Sequence, residues 1–177
     1  VLAGYDFPGN FRTVELLGAR PVLLDVASDS LSLDPDQLEE LSRQPTGQAV
    51  RAVIVSHLYG RAAEVDRIRA ICEAAGCVLV EDACQAVGMQ IGDRRVGNFG
   101  HLATLSFGGS KPVSAGGGGC VLANTSRLAA RLGSLLDRPG EVFPLSPLQA
   151  AVIGPQLDRL EELSRIRLAT TTYVEEQ

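Results

Sequence analysis

Short runs of consecutive apolar residues recur along the chain and are separated by segments whose apolar residues have helical spacing. Runs of this kind are typical of strands that are buried on both faces of a parallel sheet. After a strand end at Val1-Leu2, the strand candidates are residues 21–26, 50–57, 77–81, 102–107 and 119–124. The helix candidates are residues 10–18, 34–44, 63–76, 124–137 and a longer segment that begins at Ser146-Pro147. The alternation of strands and helices predicts a layered α/β fold with a largely parallel sheet.

Individual residues predict where the helices begin and where they are interrupted. Asn10 is predicted to be the N-cap of the first helix, and Asn124 the N-cap of the helix that runs to about residue 137. Asp34 and Gln37 have the spacing of a capping box. Pro155 lies within the last helical segment and is predicted to kink or interrupt it, because proline cannot donate the helical hydrogen bond.

Composition and charge disfavour several classes of function. The 177 residues are 45% hydrophobic and 21% charged, which is typical of a folded domain with a substantial core. There are 16 basic and 21 acidic residues, which give a formal charge of −5. Such a surface repels nucleic-acid phosphates and anionic lipids, and no apolar run approaches the roughly 20 residues of a membrane span. We therefore expect no nucleic-acid partner and no membrane segment.

The four cysteines do not form a metal-binding pattern. Cys72, Cys77, Cys84 and Cys120 lie on apolar strand-like or helix-like faces, and no two of them have CxxC spacing. Only two histidines are present to complete a site. We expect no metal site, and the cysteines are interpreted as reduced core thiols of a cytoplasmic protein.

Polar residues are concentrated at the ends of the predicted strands. The buried run Val78-Leu79-Val80 continues directly into Glu81 and Asp82. Two other strand ends, residues 56–60 and 106–111, also carry hydroxyl, imidazole or amine groups. In sheets of this kind functional side chains gather where the strands end and the loops converge.

The segment SFGGSK, residues 106–111, combines two hydroxyls and two glycines with Lys111, which is the only lysine of the chain. The order of residues is not that of a Walker P-loop, but hydroxyls and glycine amides are suited to binding phosphate. An arginine cannot lose a proton and form an imine, whereas a lysine can. The single lysine therefore indicates either a need for an amine or a surface lysine present by chance.

A reactive lysine, a phosphate-binding loop and an acid at a neighbouring strand end are together the groups that bind pyridoxal phosphate. This cofactor acts as an electron sink when its ring nitrogen stays protonated, and a nearby carboxylate favours that state. Asp82 is the candidate for this carboxylate. The alternative is that Asp82 caps a helix that follows the strand.

Three longer stretches resemble one known family. They are HLYGRAAEVDRIRAICEAAGCVLVEDACQAVG (residues 57–88), RRVGNFGHLATLSFGGSKPVSAGGGG (94–119) and LSPLQAAVIGPQLDRLEEL (145–163). In combination they are similar to the sugar aminotransferases of the DegT/DnrJ/EryC1/StrS family, which bind pyridoxal phosphate. The resemblance implies a three-layer α/β/α sandwich with a mostly parallel sheet, as in the large domain of aspartate aminotransferase.

The resemblance also implies roles for individual residues. Lys111 corresponds to the lysine that binds the cofactor covalently, and Asp82 to the acid beside the ring nitrogen. Gln85 corresponds to the residue that donates to the phenolic oxygen of the cofactor, and Ser106 to a phosphate-binding hydroxyl. Phe7 lies where the family has a ring stacked on the cofactor, although its spacing fits a core phenylalanine equally well.

Several positions depart from the family pattern. Gly117 and His101 each replace an acidic residue, Val142 replaces an asparagine that reaches the cofactor of the partner subunit, and Pro144 replaces an arginine. His57 is expected near the cleft, either as a functional residue or as a packing histidine.

The implied function is transfer of an amino group, from glutamate, to a keto-sugar that is nucleotide-linked. Two alternatives are a relative that binds the cofactor or a partner without turnover, and an aminotransferase for an aminocyclitol ketone. Residues 1–140 are expected to form part of the cofactor-binding large domain, and residues 141–177 to lead towards a small C-terminal domain. Relatives act as cytoplasmic homodimers, so we expect the same here, with small molecules as the other partners.

Overall fold

The structure is a computed structural model that describes residues 1–44, 50–136 and 145–176. The helices are α1 (Pro8–Leu16), α2 (Pro35–Arg43), α3 (Val65–Ala74), α4 (Ser126–Leu136), α5 (Pro147–Asp158) and α6 (Leu160–Glu175). The strands are β1 (Leu2–Ala3), β2 (Leu23–Leu24), β3 (Ala52–Ser56), β4 (Val78–Asp82), β5 (Gln90–Ile91), β6 (Arg94–Arg95), β7 (Leu102–Ser106) and β8 (Gly119–Ala123). The expected boundary between residues 140 and 141 lies outside the described residues. No helix in the described segments is long and apolar enough to cross a membrane.

The central sheet has the strand order β3-β4-β7-β8. β3, β4 and β7 are parallel, and β8 is antiparallel to β7. β1 pairs in parallel with β2, and hydrogen bonds between Val1 and both Ala52 and Ile54 bring β1 alongside β3. The prediction of an α/β fold with a mostly parallel sheet is confirmed.

One face of the sheet is covered by α2 and α3. Val53, Val55 and Leu79 project from the strands into a buried cluster that also contains Leu38 of α2 and Ile68 of α3. Each of these side chains is almost completely removed from water, and burial of one such side chain contributes about 1.5 to 3 kcal/mol. This cluster fixes the strands that lead into the candidate site.

The other face of the sheet is more polar near the ends of the strands. Because successive side chains of a strand point to opposite faces, Ser56, Asp82 and Thr104, which are register partners, project away from the α2–α3 cluster. α1 lies against this face, where Asn10 contacts both Ser56 and Asp82. Helices therefore lie on both faces, as a three-layer α/β/α arrangement requires.

Two predicted helix caps are wrong. α1 begins at Pro8 with Phe7 as its N-cap, so Asn10 lies inside the first turn and its side chain is free to reach the sheet. Proline at the first helical position has the backbone angle that a helix needs, which explains the earlier start. In α4 the cap is Thr125, whose hydroxyl accepts from the Leu128 N–H, whereas the Asn124 amide donates to the Gly100 carbonyl.

Other elements differ in extent. The predicted strand at residues 21–26 is reduced to β2, and the carboxamide oxygen of Gln37 accepts from the Asp25 N–H and does not complete a capping box with Asp34. Pro155 lies within α5, and the interruption falls at Arg159, four residues later. The short hairpin of β5 and β6 was not predicted, although it turns at Gly92-Asp93, a sequence that favours hairpins.

Glu81 is completely buried on the α3 side of the sheet and is held by a loop that precedes β7. Its carboxylate accepts hydrogen bonds from the backbone N–H groups of Gly97, Phe99 and Gly100, and it contacts His57 Nε2 at 3.0 Å. Burial by itself raises the pKa of Glu81, but the hydrogen bonds from His57 and from the three backbone groups outweigh it and lower the pKa. The charged form is therefore the stable one in the folded protein.

Gly100 is expected to tolerate no side chain. A Cβ atom there would lie 2.5 Å from the Leu102 carbonyl oxygen and 3.0 Å from both the backbone nitrogen and the Cβ of Glu81. We expect Gly100→Ala to lower the free energy of unfolding by about 1 to 3 kcal/mol, because backbone atoms must move to make room. Denaturant unfolding monitored by circular dichroism measures this change.

Gly133→Ala is the matched control, because Gly133 lies inside α4 with no atom within 4 Å of its added Cβ. Alanine favours a helix over glycine by about 0.5 to 1 kcal/mol, so this variant is expected to be more stable. Equal effects of the two substitutions would contradict the packing described for Gly100.

Candidate active site

The carboxyl ends of three neighbouring parallel strands meet at one cavity. Ser56 is the last residue of β3, Asp82 of β4 and Ser106 of β7. Together with adjoining loops and the start of α1 they line a cavity of about 330 Å³. This volume is near the lower end of the range for small-molecule sites, about 300 to 1,000 Å³.

All five residues selected from the sequence line this cavity. They are Phe7, Asp82, Gln85, Ser106 and Lys111. These residues come from three separate segments of the chain, so their convergence is a property of the fold and not of sequence proximity. The roles assigned to them remain predictions, because a common location does not by itself identify a ligand.

Asp82 has a fixed orientation in the cavity. Its Oδ1 accepts from the backbone N–H of Cys84 at 3.0 Å, and its Oδ2 accepts from Asn10 Nδ2 at 2.9 Å. Each carboxylate oxygen therefore has one donor, and the two donors fix the plane of the carboxylate. No helix begins after β4, so the interpretation of Asp82 as a helix N-cap is wrong.

Cys84 lies beside this carboxylate and is a poor nucleophile. Burial, with a further contribution from Asp82, raises the pKa of the Cys84 thiol to about 12. A thiol with this pKa is protonated at neutral pH and reacts slowly. Although Cys84 lines the cavity, we therefore assign it no chemical role.

Gln85 is oriented by a neighbouring backbone group. Its Oε1 accepts from the Tyr59 N–H at 2.7 Å, which leaves the Nε2 hydrogens as the donors of the amide. Tyr59 has a φ of 56°, a left-handed conformation that is unusual for a residue with a side chain. Strained backbone conformations of this kind often occur at functional sites. Here the conformation of Tyr59 directs its N–H towards the Gln85 side chain.

Lys111 follows a tight turn that begins at the end of β7. Its backbone N–H donates to the Gly108 carbonyl at 3.0 Å, and the Gly108 N–H donates to Ser106 Oγ at 3.3 Å. The hydroxyls of Ser106 and Ser110 lie on the cavity wall with the lysine. Lys111 is half-buried, so it is not an isolated surface lysine.

Phe7 is not part of the core. Its side chain is 59% exposed and lines the cavity at the start of α1. The alternative interpretation of Phe7 as a core phenylalanine is therefore wrong. An exposed ring on the wall of the cavity is available to stack on a planar ligand.

His57 borders the cavity but uses both ring nitrogens within the protein. Nδ1 accepts from the Ala63 N–H at 3.2 Å, and Nε2 faces Glu81 Oε1 at 3.0 Å. Since Nδ1 accepts a hydrogen bond, Nε2 is the ring nitrogen that donates to the carboxylate. With 1% of its surface exposed, His57 is a packing residue that ties β3 to β4.

The departures from the family pattern lie in different places. His101 is at the start of β7, where Nδ1 accepts from the Leu79 N–H at 2.9 Å, so it is remote from the strand ends that form the cavity. Gly117 precedes β8 and does not line the cavity. Val142 and Pro144 lie outside the described residues.

Three residues that sequence reasoning assigned no role in the site also belong to it. Asn10 and Ser56 line the cavity, and Asp6 hydrogen-bonds to both of them. Ser56 could have been selected because it ends a strand next to Asp82. Asn10 was misassigned as a helix cap, which removed it from consideration.

The groups that line the cavity fit pyridoxal phosphate. An amine, a carboxylate, an amide donor, hydroxyls and an exposed aromatic ring are present, and they match the aldehyde, ring nitrogen, phenolic oxygen, phosphate and ring face of that molecule. Lys111 could hold the aldehyde and Asp82 the ring nitrogen. Gln85 could hold the phenolic oxygen, and Phe7 could cover the ring face. Ser106 and Ser110 are the candidates for the phosphate.

Comparison with known proteins is consistent with this geometry. A model of the DegT/DnrJ/EryC1/StrS aminotransferase family matches residues 1–177. The chain is 32% identical over 189 residues to an L-glutamine:2-deoxy-scyllo-inosose aminotransferase of Streptoalloteichus tenebrarius, covering 94% of this chain and 44% of that protein. It is 33% identical over 178 residues to a UDP-2-acetamido-2-deoxy-3-oxo-D-glucuronate aminotransferase of Pseudomonas aeruginosa, covering 94% of this chain and 48% of that protein.

A solved structure has a similar fold. The crystal structure of a DegT DnrJ EryC1 StrS aminotransferase from Brucella abortus matches with a TM-score of 0.82 and 32% sequence identity. The match covers 90% of this chain and 47% of that one. The chain thus spans less than half the length of these proteins.

Proposed function

Because the chain belongs to the DegT/DnrJ/EryC1/StrS aminotransferase family, we propose that it forms the cofactor-binding part of an aminotransferase that uses pyridoxal phosphate. The observation that carries this proposal is that Lys111 and Asp82 line one cavity of about 330 Å³. An amine and a carboxylate on the walls of one small cavity can bind two ends of the same aromatic aldehyde. Gln85 and Phe7, on the same walls, would fix the plane of its ring.

Each residue has a separate task in this proposal. Asp82 keeps a proton on the ring nitrogen, and Gln85 donates to the phenolic oxygen. Ser106 and Ser110 donate to the phosphate. Phe7 covers one ring face and excludes water from it. When bound, the cofactor supplies an electron sink for negative charge on the reacting carbon.

Lys111 has two tasks. Its amine would hold the cofactor covalently, and when not bound to it would take and return the proton at the reacting carbon. An arginine could do neither, because its guanidinium stays protonated. This explains why the one lysine of the chain lies in the cavity.

The proposed acceptor is a keto-sugar, most simply one linked to a nucleotide, and the proposed donor is glutamate. Relatives named for UDP-linked and GDP-linked sugars support the first choice. Relatives named for L-glutamine and 2-deoxy-scyllo-inosose support a second candidate, in which the acceptor is a ketocyclitol and the donor is glutamine. We further propose a cytoplasmic homodimer, in which the four cysteines, all free thiols, stay reduced.

Spectroscopy on the full-length protein tests the proposal. Addition of pyridoxal phosphate is expected to produce an absorption band near ~420 nm that borohydride bleaches. Addition of glutamate or glutamine should then remove the band and release one equivalent of the corresponding 2-oxo acid. Pyridoxal without phosphate is the matched control, and it should bind more weakly because Ser106 and Ser110 lose their partner.

The outcomes separate the alternatives. A band that neither amino donor changes would support the relative that binds the cofactor without turnover. Failure of the protein to bind the cofactor at all would overturn the proposal. The cofactor-bound protein, after reaction with the amino donor, is then offered a nucleotide-linked keto-sugar or a ketocyclitol. The compound that it consumes identifies the acceptor.

A further inference from the structure

Asp82 is the end of a hydrogen-bond network that leads away from the cavity. Asn10 Nδ2 lies 2.9 Å from Asp82 Oδ2, 3.1 Å from Asp6 Oδ2 and 3.2 Å from Ser56 Oγ. The Ser56 hydroxyl donates to Asp6 Oδ2 at 2.8 Å. The second oxygen of Asp6 accepts from the Phe7 N–H at 2.7 Å. The four side chains come from α1, β3, β4 and the loop that follows β1.

The surroundings of Asn10 determine which way its amide points. Three oxygen atoms face its Nδ2, and two of them belong to carboxylates. A carbonyl oxygen in that place would be repelled by both acids, so the NH₂ group must occupy it. Its two hydrogens serve the oxygens of Asp82, Asp6 and Ser56.

The network places a second negative charge behind the first. Asp6 and Asp82 both lie within hydrogen-bond distance of the same nitrogen, and no basic side chain is bonded to either of them in the described residues. The other titratable groups on the cavity wall are Lys111, Cys84 and His57. Cys84 is a neutral thiol, and both ring nitrogens of His57 are bonded within the protein.

We propose that Asn10, held by Asp6 and Ser56, is a positioning residue that fixes Asp82 towards the cofactor and couples the charge of Asp6 to it. This inference rests on the proposed function, because it assigns Asp82 a cationic ring nitrogen to face. Asn10 holds Asp82 Oδ2, and Asp82 lines the cavity. Asp6 adds negative potential that favours protonated forms of the bound cofactor.

Two substitutions test the inference in the full-length protein with bound cofactor. Asp6→Asn keeps the shape of the side chain, removes its charge and replaces one acceptor oxygen with an NH₂ group. We expect it to move the pH midpoint of the visible absorption band about one unit lower, since removing a nearby anion destabilises a cation. Asn10→Ala removes the donor to Asp82 and should raise the dissociation constant for pyridoxal phosphate about tenfold.

Each variant has a control on an exposed residue with similar local bonding. Thr13→Ala, one turn further along α1, removes a hydroxyl that donates only to the Gly9 carbonyl. Asp29→Asn alters a carboxylate that, like Asp6, accepts from the N–H of the next residue. Neither control should change the midpoint or the dissociation constant. Melting temperatures without cofactor show whether a variant is folded, and a purely structural network would change these alone.

The results distinguish the two proposals. Suppose that the unchanged protein shows the band, that Asp6→Asn has the same pH midpoint, and that Asn10→Ala has the same dissociation constant for pyridoxal phosphate. The network then has no such role, and the proposed function stands. If the unchanged protein does not bind the cofactor, both proposals are wrong. A lower midpoint in Asp6→Asn, in a variant that its melting temperature shows to be folded, supports the coupling.

Discussion

Replacement of Lys111 by alanine is expected to abolish the absorption band near ~420 nm and to reduce transamination roughly ten-thousand-fold. The amine both holds the cofactor and moves the proton at the reacting carbon, and no other residue on the cavity wall can replace it. Cys84 is protonated at neutral pH, with its pKa raised to about 12, and both nitrogens of His57 are bonded within the protein. The full-length variant, titrated with pyridoxal phosphate, provides the measurement.

Lys111→Arg is the matched control for charge. It keeps a cation in the cavity but cannot form the covalent bond, so it should bind the phosphorylated cofactor and still lack the band. Borohydride reduction should fix the cofactor to the unchanged protein, and peptide mapping should then locate it at residue 111. Attachment at a different lysine, or a normal band in Lys111→Ala, would show that Lys111 has another role.

The strand ends that form the candidate site could be predicted from the sequence because they depend on short-range patterns. A buried apolar run that ends in Glu81-Asp82 predicts a strand whose end carries a carboxylate. The structure shows why two acids stand there. Strand geometry sends Asp82 to the cavity and Glu81 to the opposite face, so the adjacent acids have unrelated tasks.

The network behind Asp82 could not be predicted in the same way. Asn10, Asp6 and Ser56 meet only because β1 and α1 are placed next to β3, which is a tertiary relationship. A three-residue error in the N-cap of α1, Asn10 in place of Phe7, changes Asn10 from a residue that faces the cavity to a helix cap. The same limitation hid the partners of Glu81, because three backbone N–H groups leave no pattern of side chains in the sequence.

Glu81→Gln is expected to lower the free energy of unfolding by about 3 to 5 kcal/mol at neutral pH, because it removes one member of a buried, hydrogen-bonded pair. The carboxylate accepts from Gly97, Phe99, Gly100 and His57, and an amide would turn its NH₂ group towards some of these donors. Denaturant unfolding of the protein without cofactor measures the difference. Glu162→Gln, at an exposed glutamate paired with Arg159, is the control and should cause no resolvable change.

The effect of Glu81→Gln should depend on pH in one direction. The pKa of Glu81 is lowered in the folded protein below the ordinary value of 4.5, although burial alone would raise it, because the hydrogen bonds favour the charged form. The carboxylate therefore contributes its full stabilisation above the ordinary pKa of 4.5 and loses it as the pH falls through the lowered pKa of the folded protein. The difference in unfolding free energy between the unchanged protein and Glu81→Gln should thus be constant near neutrality and shrink in acid. A difference that grows in acid would mean that Glu81 is buried in its protonated form, with His57 Nε2 as an acceptor.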